Sequence, residues 1–263
     1  MLYTFLNDVI VMSSSGKFSF LSATNVFAFI LVVVVNVLAN ALPLNGKTTA
    51  EISDSYPTLV APAGYVFSIW GIIYALLLVF TLYQALPSQR GKPFLQQISY
   101  FFVLGSLANA CWIFLWHYGL IVPSVLLMFV LLATLLAVYV RLQIGRSNVS
   151  VVEKLCVHLP FSVYLGWITV ASIANVAAAL VFLEWDGLGL GNLNWAVLVI
   201  LVALVITLGV VVTRRDIAYS LVIIWALVGI IVKQMEEQVL VLSAGISAVI
   251  ILVVLVAVNL RQR

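Results

Sequence analysis

Apolar runs of about 20 residues, the length of helix that crosses a ~30 Å hydrocarbon layer, recur from one end of this 263-residue chain to the other. Only 8% of its residues are charged and 65% are hydrophobic. A soluble domain carries roughly a quarter charged residues, so this chain cannot cover itself for water. It reads as an all-α, polytopic transmembrane helix bundle.

Eight spans can be drawn, at about 21–43, 62–85, 97–119, 121–140, 155–183, 195–213, 217–232 and 239–260. Between them lie polar or punctuated stretches such as "NGKTTAEISDSYP", "LPSQRGKP", "QIGRSNVSVVEK", "EWDGLGLGN", "RRD" and "KQMEEQ". Only "HYGLIVP" separates the third span from the fourth, so that boundary is soft. The fifth span is long and the seventh short, which leaves room for tilt or a re-entrant end.

Charge supports this division. Alternating loops give one side Lys17, Arg90, Lys92, Arg141, Arg146, Lys154, Arg214, Arg215, Arg261 and Arg263, and the other only Lys47 and Lys233. Ten against two is a strong positive-inside bias and predicts both termini in the cytoplasm, with the chain in the plasma or inner membrane of the cell. The opposite side takes Glu51, Asp54, Glu184, Asp186, Glu236 and Glu237. The net charge of +3 thus reports topology, and no nucleic-acid partner is expected. Cys111 and Cys156 fall inside apolar spans and read as small buried hydrophobes rather than a disulfide. The opening "MLYTFLNDVIVMSSSGK" lacks a basic n-region and a cleavage site, so no signal peptide is expected, and Met12 is an alternative start. No internal repeat and no soluble domain is visible.

An ionisable residue inside a membrane is expensive and marks function by default. Asp and Glu are absent from the span interiors, and no lysine sits mid-helix, which argues against a carboxylate-relay pump or a retinal-type Schiff base. His117 and His158, at the margins of the third and fifth spans, could each ligate a tetrapyrrole iron. A lone membrane histidine is more often interfacial or hydrogen-bonded, and the pair makes no metal-binding spacing. No nucleophile–base set appears, so an enzyme is not expected.

What the spans do hold is aromatic rings with polar tips at helical spacing. Trp70 and Tyr74 are four apart and share a face. Asn109, Trp112 and Trp116 fall at i, i+3 and i+7, and Tyr164, Trp167, Ala171 and Asn175 at i, i+3, i+7 and i+11. Interfacial belts and plain helix packing also use such residues, and a membrane Asn commonly bonds a neighbouring helix. A belt requires no helical period, however, and here three stripes of the same mixed chemistry fall on three helices.

The stretches "PAGYVFSIWGIIY", "NACWIFLWHYG" and "YLGWITVASIAN" resemble the signatures of the TspO/MBR family, the tryptophan-rich sensory and translocator-like proteins. The resemblance runs over roughly residues 21–183, a five-helix core, with 1–20 as a short cytoplasmic tail and 184–263 as three additional helices packed on the core. It carries departures. The family's double proline is Ala61-Pro62, the ring usual four before Trp70 stands at Phe67, and Val163 replaces the proline before Tyr164, with Pro160 the nearest.

The resemblance implies that the loop of residues 44–61 covers the mouth of a cavity between helices, where relatives hold porphyrins, haem-like tetrapyrroles or, in eukaryotes, sterols. Pro62 suits a first helical turn, where its missing N–H is not needed, and Gly64 allows close approach. The implied ligand-binding set is Tyr65, Phe67, Trp70, Tyr74, Asn109, Trp112, Trp116, Tyr164, Trp167, Ala171 and Asn175. Aromatic walls with a few polar tips suit a planar, mostly apolar ligand. No cofactor is obligatory on this reading; porphyrin or haem would be ligand, and the partners would be that ligand, membrane lipids and, as an open alternative, a second copy in a homodimer. A permease for a small lipophilic molecule, a structural subunit of a membrane complex, and light- or oxygen-dependent porphyrin breakdown are the competing readings. "RRD" leaves so little loop that the sixth and seventh spans are expected to form a tight antiparallel hairpin.

Overall fold

A computed structural model describes the backbone of residues 2–260 and the side chains of residues 20–260, and every regular element among them is helical. In chain order these are α1 (Leu2–Ala41), α2 (Thr49–Asp54), α3 (Ile69–Ala85), α4 (Pro93–Ile98), α5 (Phe101–His117), α6 (Ile121–Arg141), the single turn α7 (Val151–Glu153), α8 (Leu159–Phe182), α9 (Asn192–Arg214), α10 (Ile217–Lys233) and α11 (Gln238–Leu260). Among the described residues, six helical stretches are long and apolar enough to cross a membrane: Phe20–Ala41, Gly64–Ala85, Ile121–Arg141, Val151–Phe182, Gly191–Arg214 and Gln238–Leu260. Two more, α5 and α10, are apolar but only 17 residues long, about 26 Å at 1.5 Å per residue. The described residues thus form a polytopic helical bundle of six spanning-length stretches and two shorter apolar helices.

Several boundaries differ from the sequence reading, each for a local reason. The third span was expected to start near 97, but the chain turns at Ser99, which holds φ 50°, and α5 begins at Phe101. Pro93 instead opens the separate short helix α4. The long fifth span is one continuous helical run in which a π-helical segment, Lys154–His158, links α7 to α8. Helix α1 starts at Leu2, well before its apolar run.

The first five spans form one packed group. Helix α5 lies against α1 and α6, α6 against α8, and α3 against α1 and α8. Helix α10 joins this group directly by packing on α8. The contact needs Gly166: a Cβ there would lie 3.0 Å from Val222 Cβ and 3.1 Å from the Tyr219 carbonyl oxygen. Small residues at such crossings let helices approach closely where lipid supplies no hydrophobic drive between them. Only Arg215 and Asp216 separate α9 from α10, with Arg215 in the left-handed region at φ 54°. The expected hairpin is therefore tight at its turn. Beyond the turn, however, α11 packs against both helices, and α9 and α10 meet little.

Asp216 is the one acidic residue the bundle buries among the described residues, and it ties three helices together. Its carboxylate accepts from the Tyr219 backbone N–H at 3.1 Å, capping α10, from the Tyr139 hydroxyl of α6 at 2.8 Å, and from the Ser162 hydroxyl of α8. Three donors offset the desolvation of a buried carboxylate. The loops sort to two ends. At one, Arg146 and Arg214 reach the backbone of Thr213 and Ile144, and Arg141 that of Gln96 and Gln97. At the other, Asp54 and Lys233 form an ion pair at 2.5 Å, although 179 residues separate them.

Candidate functional site

Three helices bring their aromatic stripes to one place. Trp70 of α3 stands at its centre: stacked on Tyr74 at 5.6 Å, tilted against Trp112 of α5 at 6.3 Å, and edge-on to Trp167 of α8 at 6.1 Å. Phe67 meets Trp167 edge-on at 5.6 Å, and Trp112 stacks on Trp116 at 5.7 Å. These are the offset and T-shaped arrangements that ring quadrupoles favour, and they hold the walls rigid. Phe67, Trp70, Trp112, Trp116, Trp167, Ala171 and Asn175 line one cavity, together with Pro62. The space left among them is about 20 Å³, room for a water molecule and far too little for a large planar ring.

The remaining expected residues sit elsewhere. Tyr74, Asn109 and Tyr164 do not line the cavity; Trp70 stands between it and them, stacked on Tyr74 and edge-on to Tyr164 at 6.0 Å. Tyr65 does not join the cluster at all. Its half-exposed ring meets Trp225 of α10 edge-on at 5.3 Å, because Tyr65 and Phe67 lie in a tight 3-10 turn, Gly64–Ser68, that sends them different ways.

The polar tips are largely committed to holding helices together. Asn36 of α1 donates to Asn109 Oδ1 at 2.7 Å, and Asn109 Nδ2 donates to the Tyr164 hydroxyl at 3.0 Å. Trp112 Nε1 donates to Asn175 Oδ1 at 2.9 Å, and Asn175 Nδ2 to Ser124 Oγ at 2.9 Å. Two groups are left over. The Trp167 indole N–H and the Tyr74 hydroxyl are buried without a partner, and Trp167 is only 1% exposed while lining the cavity. A buried donor without an acceptor costs about 1–3 kcal/mol.

A cover closes the mouth. Thr48 and Glu51 form a capping box: Thr48 Oγ1 accepts from the Glu51 N–H at 3.3 Å, while Glu51 Oε2 accepts from the Thr48 N–H at 2.7 Å and its hydroxyl at 2.9 Å. The helix this starts, α2, turns Thr49 and Ser53, four apart, onto the cavity. Trp116 Nε1 donates to the Thr49 carbonyl at 3.2 Å. His117 uses both ring nitrogens here: Nδ1 donates to the Leu44 carbonyl at 3.1 Å, which leaves Nε2 to accept from the Thr49 hydroxyl at 3.2 Å. It serves as a strut for the cover. His158, the other candidate iron ligand, is buried in the π-helical segment outside the cavity lining.

Sequence reasoning missed Asn36, Thr49, Ser53 and Ala174 as members of the site or its support. Two signals were present. Asn36 inside "VVVVNVLAN" is a polar residue amid an apolar run that must find a partner in the bundle, and "TTAE" holds the Thr-x-x-Glu pattern of a helix start.

Compared with known families, the chain matches the model of the TSPO-like protein family over residues 22–258, a stretch that takes in the last three helices as well as the first five. Neither the curated proteins nor the solved structures yield a match.

Proposed function

The chain belongs to the TSPO-like protein family, and from that premise we propose that it binds a flat, lipophilic ligand of the tetrapyrrole class between α3, α5 and α8, acting in the sensing, regulation or movement of that ligand. The observation that carries this reading is Trp167: a buried indole N–H with no acceptor, set in a wall of aromatic rings. A ligand that offers a ring face to Trp70 and Trp112 and an acceptor atom to Trp167 Nε1 would use both features.

The donor set favours a metal-free ring over an iron-ligated one. No histidine lines the cavity, and both nitrogens of His117 are engaged by the cover. Haem would therefore bind through its ring and edge groups, without an axial histidine. The role needs no chemical step, so the protein acts as a binding protein. The Lys/Arg-rich end of the bundle faces the cytoplasm on this reading, and the cover faces the far side of the plasma or inner membrane.

Titration of the purified protein in detergent with protoporphyrin, followed by porphyrin absorption and tryptophan quenching, tests the reading. Saturable quenching with a shifted porphyrin band is expected, and haem should bind without the spectrum of histidine ligation. Porphyrin that partitions into empty detergent and into protein-containing detergent alike contradicts it.

A further inference from the structure

We propose that α10 positions the cover of the aromatic cavity, and that its grip, through Trp225, Gly229 and Lys233, sets how readily the mouth opens. The proposal rests on the cavity being the ligand's site and assigns a task to the C-terminal helices within it.

The three residues fall at i, i+4 and i+8, so they form one face of α10. Trp225 and Gly229 hold the entry to α3 at residues 63–66, and Lys233 holds the loop of residues 44–61; together these two segments make up the cover. Trp225 Nε1 donates to the Val66 carbonyl at 3.3 Å while its ring takes the edge of Tyr65. The Gly229 carbonyl accepts from the Ala63 N–H at 3.1 Å. Lys233 pairs with Asp54 at 2.5 Å, and the adjacent Gln234 donates to the Thr58 carbonyl at 3.4 Å.

Gly229 makes this grip sterically attainable. A Cβ at that position would collide with Val66 and lie 3.0 Å from Pro62 Cβ. Any other residue would push the cover off α10. On its opposite side the same cover supplies Ser53, Pro62 and Phe67 to the cavity lining. The segment is thus clamped between α10 and the cavity it closes.

The clamp has a firm base. At its other end α10 is fixed by the Asp216 carboxylate and seated against α8 at Gly166. With about 20 Å³ of free space, a planar ring enters only if rings turn or the cover lifts, and lifting breaks the contacts to α10.

Access can be read without any porphyrin. In the full chain in lipid nanodiscs, Cys111 and Cys156 are replaced by Ala, Ala171→Cys is introduced on the cavity wall, and its labelling rate by N-ethylmaleimide is measured. Labelling should be slow with the native cover contacts and about tenfold faster in Gly229→Val, where overpacking displaces the cover. Lys233→Asp should speed it about threefold, in keeping with an exposed pair. Adding Asp54→Lys to Lys233→Asp should bring the rate back. Hydrogen exchange at α5 and α8 identifies a variant that is merely unfolded; should Gly229→Val prove so, the charge swap decides. Equal labelling rates in all variants, or a swap that restores nothing, overturns the proposal. Absence of porphyrin binding would instead sink the functional reading and leave the labelling result standing.

Discussion

The indole N–H of Trp112 donates to Asn175 Oδ1 at 2.9 Å, across 63 residues of sequence and from α5 to α8, and Asn175 in turn donates to Ser124 of α6. Three helices thus share one buried amide in the cavity wall. Replacing Asn175 by Leu would leave the Trp112 donor orphaned. Interhelical hydrogen bonds in membranes are worth about 0.6 kcal/mol on average and an orphaned buried donor about 1–3 kcal/mol, so a loss of about 1 kcal/mol is expected. Thermal unfolding in detergent measures it; a variant as stable as the parent would show that the bond contributes nothing.

Asp216 should be the costliest single polar position. Its carboxylate caps α10 and accepts from hydroxyls on α6 and α8. Asp216→Ala removes a helix cap worth about 1 kcal/mol and orphans two hydroxyls, so at least about 2 kcal/mol should go. Asp216→Asn retains a capping oxygen and should cost less. Equal stability of the two variants, measured by denaturation in detergent, would contradict this ordering.

The cover carries a built-in acid sensitivity. Hydrogen bonds from the Thr48 backbone and hydroxyl hold the Glu51 carboxyl below its ordinary value of 4.5. A lowered folded-state value means that the stabilisation is complete above the unfolded value and is lost as pH falls through the folded one. Amide protection in α2, taken as the exchange rate relative to the intrinsic rate at each pH, should therefore fall below about pH 4, and Glu51→Gln should remove most of that dependence. Protection that is flat with pH in the parent would count against the capping box.

Eight apolar helices, each crossing once, would put alternate loops on opposite sides of the membrane. Reporters fused at residues 188 and 263 should fall on opposite sides of the membrane, with 263 on the cytoplasmic side. Finding both on one side would overturn the assignment.

Much of this was legible because it depends on local periodicity. The apolar runs predict the helices, and the stripes at Trp70/Tyr74, Asn109/Trp112/Trp116 and Tyr164/Trp167/Ala171/Asn175 predict which faces carry rings. Helical phase alone, though, does not say what stands behind what. Asn109 and Tyr164 bond to one another behind Trp70 instead of reaching the cavity, and Tyr65 is drawn off by Trp225, 160 residues away in sequence. Asp216 reads as a loop charge beside two arginines, and only the packing of α6, α8 and α10 buries it. Gly229 looks like any glycine of an apolar helix until Val66 and Pro62 are seen against it. The break at Ser99 requires a positive φ at a residue type that gives no warning of one.

The most direct measurement is the affinity of the parent and of Trp167→Leu for protoporphyrin, by fluorescence titration under identical detergent conditions. Trp167 supplies both a wall ring and the unpaired donor, and the ring contact alone is worth on the order of 1 kcal/mol. Binding should weaken about tenfold, the equivalent of ~1.4 kcal/mol, in a variant that still folds, and Ala171→Phe, which fills the cavity, should weaken it further. Parent-like affinity in both variants would place the ligand outside the ring of Trp70, Trp112 and Trp167.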